Sequence, residues 1–156
     1  GFRKILDATI KNKKISIELG RSIAAFCGKY FTRVVDLKTN ETGKYAIVDG
    51  GINHIAYYGQ TMAIKIPFHE VIPNRDGDGS YIICGSLCTI NDILVKEFKA
   101  SKLTIGDVLV FKNAGAYCST EGISLFLSRD LPKVVVKNKE KIELIRDTFK
   151  TSELNG

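Results

Sequence analysis

The sequence predicts a mainly β fold, a small barrel or sandwich, with a short α/β segment in front and a helix behind. Three observations point there. After Gly28, short runs rich in β-branched and aromatic residues recur, separated by Gly-, Asn- and Asp-containing turns. Before Gly28, apolar residues fall first at helical spacing and then alternate. Near the end, Ile142, Ile145 and Phe149 return to helical spacing.

The elements follow in order. Phe2, Ile5, Leu6 and Ile10 predict a helix ending near Asn12-Lys13-Lys14. Ile15 and Ile17 alternate with Ser16 and Glu18 as a short strand, which Gly20 breaks. Arg21 to Cys27 reads as a short helical segment closed by Gly28. Tyr30 to Leu37 is a strand, Asn40-Glu-Thr-Gly43 a hairpin turn, and Lys44 to Asp49 the return strand. Gly50-Gly51 opens a loop running through Tyr57-Tyr58-Gly59. Ala63 to Ile72 is a strand that Pro67 assigns to an edge or bulge. Asn74 to Gly79 turns into Tyr81 to Cys84, and Ile105-Gly106-Asp107 turns into Val108 to Phe111. Lys133 to Lys137 is the last strand expected, and Lys139 to Lys150 the closing helix.

These readings divide the chain at residues 28 and 138. A lone helix–strand unit cannot bury itself, so residues 1–28 read as the end of a larger α/β domain. Residues 29–138 form the β domain, and residues 139–156 a terminal helix and tail. The 156 residues are 44% hydrophobic and 26% charged, ordinary for a soluble domain with a real core. Lys plus Arg number 23 against 17 Asp plus Glu, a formal charge of +6. That modest excess favours an anionic ligand or acidic partner, or belongs to one part of a larger, balanced molecule. The opening Gly-Phe-Arg-Lys leads into an amphipathic segment, so no signal peptide is expected. No apolar run approaches the ~18 residues that span a bilayer. Cys27, Cys84, Cys88 and Cys118 lack CxxC spacing and read as reduced thiols of a cytoplasmic protein. Metal chemistry is not expected. His54 and His69 have no ligand companions at usable spacing, and Asp76-Gly-Asp78-Gly-Ser80 has Leu87 where a calcium loop needs Glu.

Four loops carry most of the unusual polar residues: Glu18-Leu-Gly-Arg21, Asp49-Gly-Gly-Ile-Asn-His54 through Tyr58-Gly59, Gly85-Ser-Leu-Cys88-Thr-Ile-Asn-Asp92, and Asn113-Ala-Gly-Ala-Tyr117. Taken singly, each has an ordinary reading. Glu18 to Arg21 is a turn with solvated charges, Tyr117 a strand-end tyrosine, and Cys88 a small buried hydrophobe. In order and spacing the four resemble the C-terminal region of the pyridoxal-phosphate decarboxylases of the diaminopimelate/ornithine group, from about Ile15 to Val136. That family joins an alanine-racemase-like (β/α)8 barrel to a C-terminal β domain.

The resemblance implies roles. Glu18 would bond the pyridine nitrogen of pyridoxal 5'-phosphate and keep it protonated. Gly20 would let the backbone approach an anion, and Arg21 would bind phosphate or a substrate carboxylate. Tyr117 would approach the cofactor phosphate or ring. The loop carrying Cys88 would cross a homodimer into the partner's active site, where the thiol helps control protonation after CO2 leaves. Asp92 would bond within its loop or assist the substrate site. Tyr58 and His54 would face the substrate. The sequence departs from the family at several positions. Leu19 and Ser86 replace prolines. Thr89 stands where diaminopimelate decarboxylases carry Glu, and His54 where they carry Arg. With a carboxylate and a guanidinium gone, the expected amino-acid substrate is less charged at its distal end, or tethered to a carrier protein. The family's cofactor-anchoring lysine lies on the first barrel strand, so these 156 residues alone are expected to be inactive. Two other readings are a catalytically silent homologue acting through protein binding and a basic barrel binding nucleic acid. Retention of Glu18, Arg21, Cys88 and Tyr117 speaks against the first. The absence of an aromatic ladder beside the lysines speaks against the second.

Overall fold

The computed structural model describes residues 4, 14, 16–57 and 66–156. The expected helix on Phe2, Ile5, Leu6 and Ile10, residue Ile15, Tyr58 and the start of the strand expected from Ala63 lie outside the described residues. Ser16 to Leu19 are exposed and carry no strand. This corrects the short strand expected there: a strand needs a neighbour to satisfy its backbone, and none of the described strands pairs with these residues. A single α-helical turn α1 (Arg21–Ala24) and a 3-10 turn (Ala25–Cys27) follow, as the Ala-rich segment predicts.

The rest is built on strands β1 (Lys29–Asn40), β2 (Gly43–Val48), β3 (His69–Ile72), β4 (Gly79–Cys84), β5 (Ile93–Ala100) and β6 (Val108–Lys112). They form one six-stranded sheet in the order β3-β6-β1-β2-β4-β5. All pairs are antiparallel except β2 with β4. Strand β3 begins only at His69, so the strand expected to run through Pro67 is shorter: Ile66, Pro67 and Phe68 carry no strand, because proline has no N–H to give a ladder. Strand β3 sits at the sheet edge. Strict alternation in β1 buries Tyr30, Thr32 and Val34 and exposes Phe31 and Arg33. The sheet curls around Val34, Ala46, Val48, Ile83, Phe98, Leu109 and Phe111. Phe98 and Phe111 meet edge-on at 6.2 Å, and His69 stacks on Phe98 at 3.9 Å. Both ring nitrogens of His69 lie against backbone carbonyls, those of Pro67 and Lys99.

The expected closing helix is not formed. Val134–Asn138 (β7) pairs with Lys141–Arg146 (β8) as an antiparallel hairpin, and Leu131 bridges Phe149 beyond it. Ile142 and Leu144 also fit a period of two, and Val134-Val-Val136 offers a β-branched partner strand. Lys139, at φ 53°, makes the turn. Strand pairing across the turn therefore overrides a helical pattern that rested on three residues. No described helix is long and apolar enough to cross a membrane.

Candidate functional site

Two of the four loops meet around Arg21. Helix α1 carries Arg21, and a 3-10 turn (Ala116–Ser119) carries Tyr117. The Ala-Gly-Ala run lets the two backbones touch: Ala114 N–H donates to Gly28 O (2.9 Å) and Gly115 N–H to Ala25 O (3.0 Å). A Cβ on Gly20 would fall 2.6 Å from the Tyr117 hydroxyl, so a side chain there would push the phenol aside. The Arg21 guanidinium stands 5.1 Å from the centre of the Tyr117 ring, within cation–π range. Its Nη2 donates to both carboxylate oxygens of Glu121, at 3.0 and 3.2 Å. Cys118, 3.8 Å from Nη1, is buried, and burial pushes its thiol up. Glu18 is exposed in the turn just before Gly20.

The loop bearing Cys88 is organised by Asp92, which is 2% exposed. One carboxylate oxygen accepts Ile52 N–H (2.9 Å) and the other Leu87 N–H (2.8 Å). Its carbonyl accepts Gly85 N–H at 2.9 Å. A Cβ on Gly51 would fall 2.6 Å from both Asp92 oxygens, and one on Gly85 closer still. The two glycines and the aspartate are therefore one device. Of the two roles expected of Asp92, its geometry fits bonding within the loop. The clamp holds Cys88 exposed at the tip with Thr89 half-buried beside it. Burial, then the Asp92 charge, raises the thiol of Cys84 at the loop's root.

His54 joins the second loop to the C-terminal segment. Its Nδ1 meets the Tyr30 hydroxyl at 2.9 Å and its Nε2 the Asp130 carbonyl at 2.9 Å. Burial lowers its pKa. The matching tautomer is neutral, with Nε2–H donating to Asp130 and the Tyr30 O–H donating to Nδ1. The imidazole thus bridges protein groups as a neutral ring. The Tyr30 hydroxyl is pushed up by burial. Arg129 donates to Ser86 O at 2.8 Å, tying the same segment to the Cys88 loop. Between them lies a cavity of about 490 Å3, lined by Phe31, Asp49, Asn53, His54, Ser86 and Arg129 among others.

Residues 116–123 link the two clusters. Ala56 N–H donates to Cys118 O (2.8 Å) and Ile123 N–H to Ile52 O (3.0 Å). Among the described residues, no hydrogen bond or ring contact joins Cys88 or Thr89 to Arg21 or Tyr117. Glu121, Tyr30 and Arg129 were not anticipated from the sequence. Glu121 had a faint signal: it lies one turn after Tyr117, to whose carbonyl its N–H donates at 2.9 Å.

A curled, mostly antiparallel sheet, with an Arg–Tyr cluster against a glycine on one segment and an exposed cysteine on a clamped loop, defines the class: a sheet domain that presents polar loops. The comparisons name the family. Residues 23–115 match the model of the pyridoxal-dependent decarboxylase C-terminal sheet domain, and the chain belongs to that family. It is 34% identical over 138 residues to L-glutamyl-[BtrI acyl-carrier protein] decarboxylase of Niallia circulans, covering 83% of this chain and 32% of that protein. It is 29% identical over 148 residues to 2-[(L-alanin-3-ylcarbamoyl)methyl]-2-hydroxybutanedioate decarboxylase of Staphylococcus aureus, covering 88% and 36%. The crystal structure of diaminopimelate decarboxylase from Helicobacter pylori complexed with L-lysine superposes with a TM-score of 0.75 at 26% identity, over 88% of this chain and 33% of that one. The chain thus spans about a third of the length of its curated relatives.

Proposed function

We propose that the full-length protein is a pyridoxal-phosphate amino-acid decarboxylase whose substrate is less charged at its distal end than diaminopimelate, or is tethered to a carrier protein. The observation that carries this is the Gly20–Arg21–Tyr117 cluster: a guanidinium and a phenol converge where a missing Cβ leaves room for close approach. That donor set fits an anionic phosphate edge. Arg21 and Tyr117 would hold the cofactor there, and Glu18 would face its ring nitrogen. When bound, pyridoxal phosphate supplies an electron-withdrawing ring that takes up the electron pair left by the departing carboxyl group. Cys88, exposed on its clamped loop, would hold a proton for the reacting carbon across a homodimer. Thr89 and the neutral His54 offer no charge to a zwitterionic distal group. Tyr58 remains a candidate contact on the same loop. Exposed Ile17, Leu19, Ile23 and Phe26 mark the face where the cofactor-bearing barrel would pack.

The test is CO2 release by full-length protein with added pyridoxal phosphate. Glutamyl–carrier protein, L-glutamate, L-lysine and free diaminopimelate would be compared. We expect the carrier-bound or singly charged substrates to be preferred. Robust turnover of free diaminopimelate overturns the substrate assignment, and no release from any amino acid overturns the enzyme. The 156-residue chain alone should release none, because the family anchors its cofactor on a barrel lysine.

A further inference from the structure

The Asp92 carboxylate can hold only the N–H groups of the Cys88 loop, because it has no proton to donate. The Ser86 carbonyl, two residues before Cys88, needs a donor from elsewhere, and Arg129 supplies it: Nη2 donates to Ser86 O at 2.8 Å. Ser86 N–H donates to Gly50 O at 2.8 Å, so both backbone groups of Ser86 are tied. The segment carrying Arg129 is itself pinned at three successive residues. The hydroxyl of fully buried Thr151 donates to Arg129 O at 2.9 Å. His54 Nε2 meets Asp130 O at 2.9 Å, and Leu131 N–H donates to Phe149 O at 2.9 Å. The guanidinium thus reaches Ser86 from a fixed backbone. The bond is exposed and adds little to global stability; what it fixes is the place of one carbonyl.

We propose that Arg129 is a positioning residue for Cys88: through the Ser86 carbonyl it sets where the loop tip presents the thiol. This rests on the decarboxylase reading, in which that thiol holds a proton for the reacting carbon. Asp92 ties Gly85 and Leu87, and Arg129 ties Ser86. The three residues leading to Cys88 are therefore each fixed, while Cys88 itself stays exposed. Proton transfer needs its heavy atoms within about 2.6–3.2 Å, so a shift of about 1 Å at the tip is felt in the rate.

The test uses full-length protein with added pyridoxal phosphate, comparing Arg129→Met, Arg129→Lys, Cys88→Ala and the Arg129→Met, Cys88→Ala double variant. Amine formation is followed with whichever of the four substrates named above the wild type turns over fastest. Arg129→Met should lower kcat about tenfold with KM changed less than twofold, and Arg129→Lys, which keeps a charged donor, should recover most of the loss. In the Cys88→Ala background Arg129→Met should cost less than about twofold, because the group it positions is gone. Hydrogen exchange of residues 85–92 should quicken about tenfold in Arg129→Met while β1 and β6 stay protected. Should Arg129→Met fail to fold, Arg129→Gln, whose amide falls short of Ser86, carries the same expectation. Equal losses of kcat with and without Cys88 would mean that Arg129 merely supports the fold, and would overturn the proposal. Unchanged kcat in an active enzyme overturns this inference alone. Faster exchange of residues 85–92 in a protein that makes no amine from any of the four overturns the decarboxylase reading, while the hold of Arg129 on the loop stands.

Discussion

Replacing Asp92 by Asn would remove half of the clamp that presents Cys88. An amide keeps one acceptor oxygen, so either Ile52 N–H or Leu87 N–H would face an NH2 group instead. Hydrogen bonds to a charged group are worth roughly 1.5–3 kcal/mol each, and a buried donor left unpaired costs a similar amount. We expect Asp92→Asn to weaken the local fold of residues 85–92 by about 3 kcal/mol, or about 150-fold in the opening equilibrium. Hydrogen exchange read by mass spectrometry on the full-length protein measures this directly. Peptides covering residues 50–55 and 85–92 should exchange faster together, while β1 and β6 stay protected. A cycle with Gly85→Ala sharpens the test. The new Cβ collides with the Asp92 carboxylate in the wild type but has room once that group is gone. Gly85→Ala should therefore be much less harmful in an Asp92→Ala background, with a coupling of about 1–3 kcal/mol. Unchanged exchange in Asp92→Asn, or additive effects of the two alanines, would refute the clamp.

Three further outcomes are expected. His54 is held neutral by burial while an unfolded imidazole binds a proton near its ordinary value, so the folded state loses stability as pH falls below about 6.5. Exchange around Asp130 and Leu131, corrected for intrinsic rates, should quicken between pH 7.5 and 5.5, and His54→Asn should lose that dependence. Buried Asp107 accepts two bonds from Arg75 (2.7 and 2.8 Å) and two from Thr104, and the Arg75 bond holds its carboxyl below the usual range. Its contribution is present above the ordinary carboxylate pKa and is lost as pH falls through the lower folded value. Asp107→Ala should destabilise by about 2–3 kcal/mol in denaturant unfolding at pH 7. Tyr117→Phe should leave the fold intact and weaken pyridoxal-phosphate binding by about fivefold, read by cofactor fluorescence. Unchanged affinity would remove the phenol from the cofactor site.

The local elements were legible where one physical signal dominated. Alternation and β-branching marked β1 and β2, Asn40 to Gly43 marked their turn, and Pro67 marked an edge. The signal misled where two periods competed. Ile142, Ile145 and Phe149 fit a helix, but Ile142 and Leu144 also fit a strand, and Val134 to Val136 supplied the partner. Cys88 and Tyr117 were singled out as candidates through the types and order of their neighbours. Glu121 was missed because its role depends on Arg21, a hundred residues away in the chain.

What the sequence by itself determined is the family, the β character and the four polar loops, because residue types and spacings act locally and survive as pattern. Tertiary structure alone decided what each side chain does. Asp92 became a clamp once two missing Cβ atoms let backbone amides reach it. His54 became a neutral bridge once Tyr30 and Asp130 closed on its nitrogens. Arg21 acquired a counter-charge when the sheet brought residue 121 beside it. Charge and hydrogen bonding act over a few ångströms, and folding chooses which groups come that near.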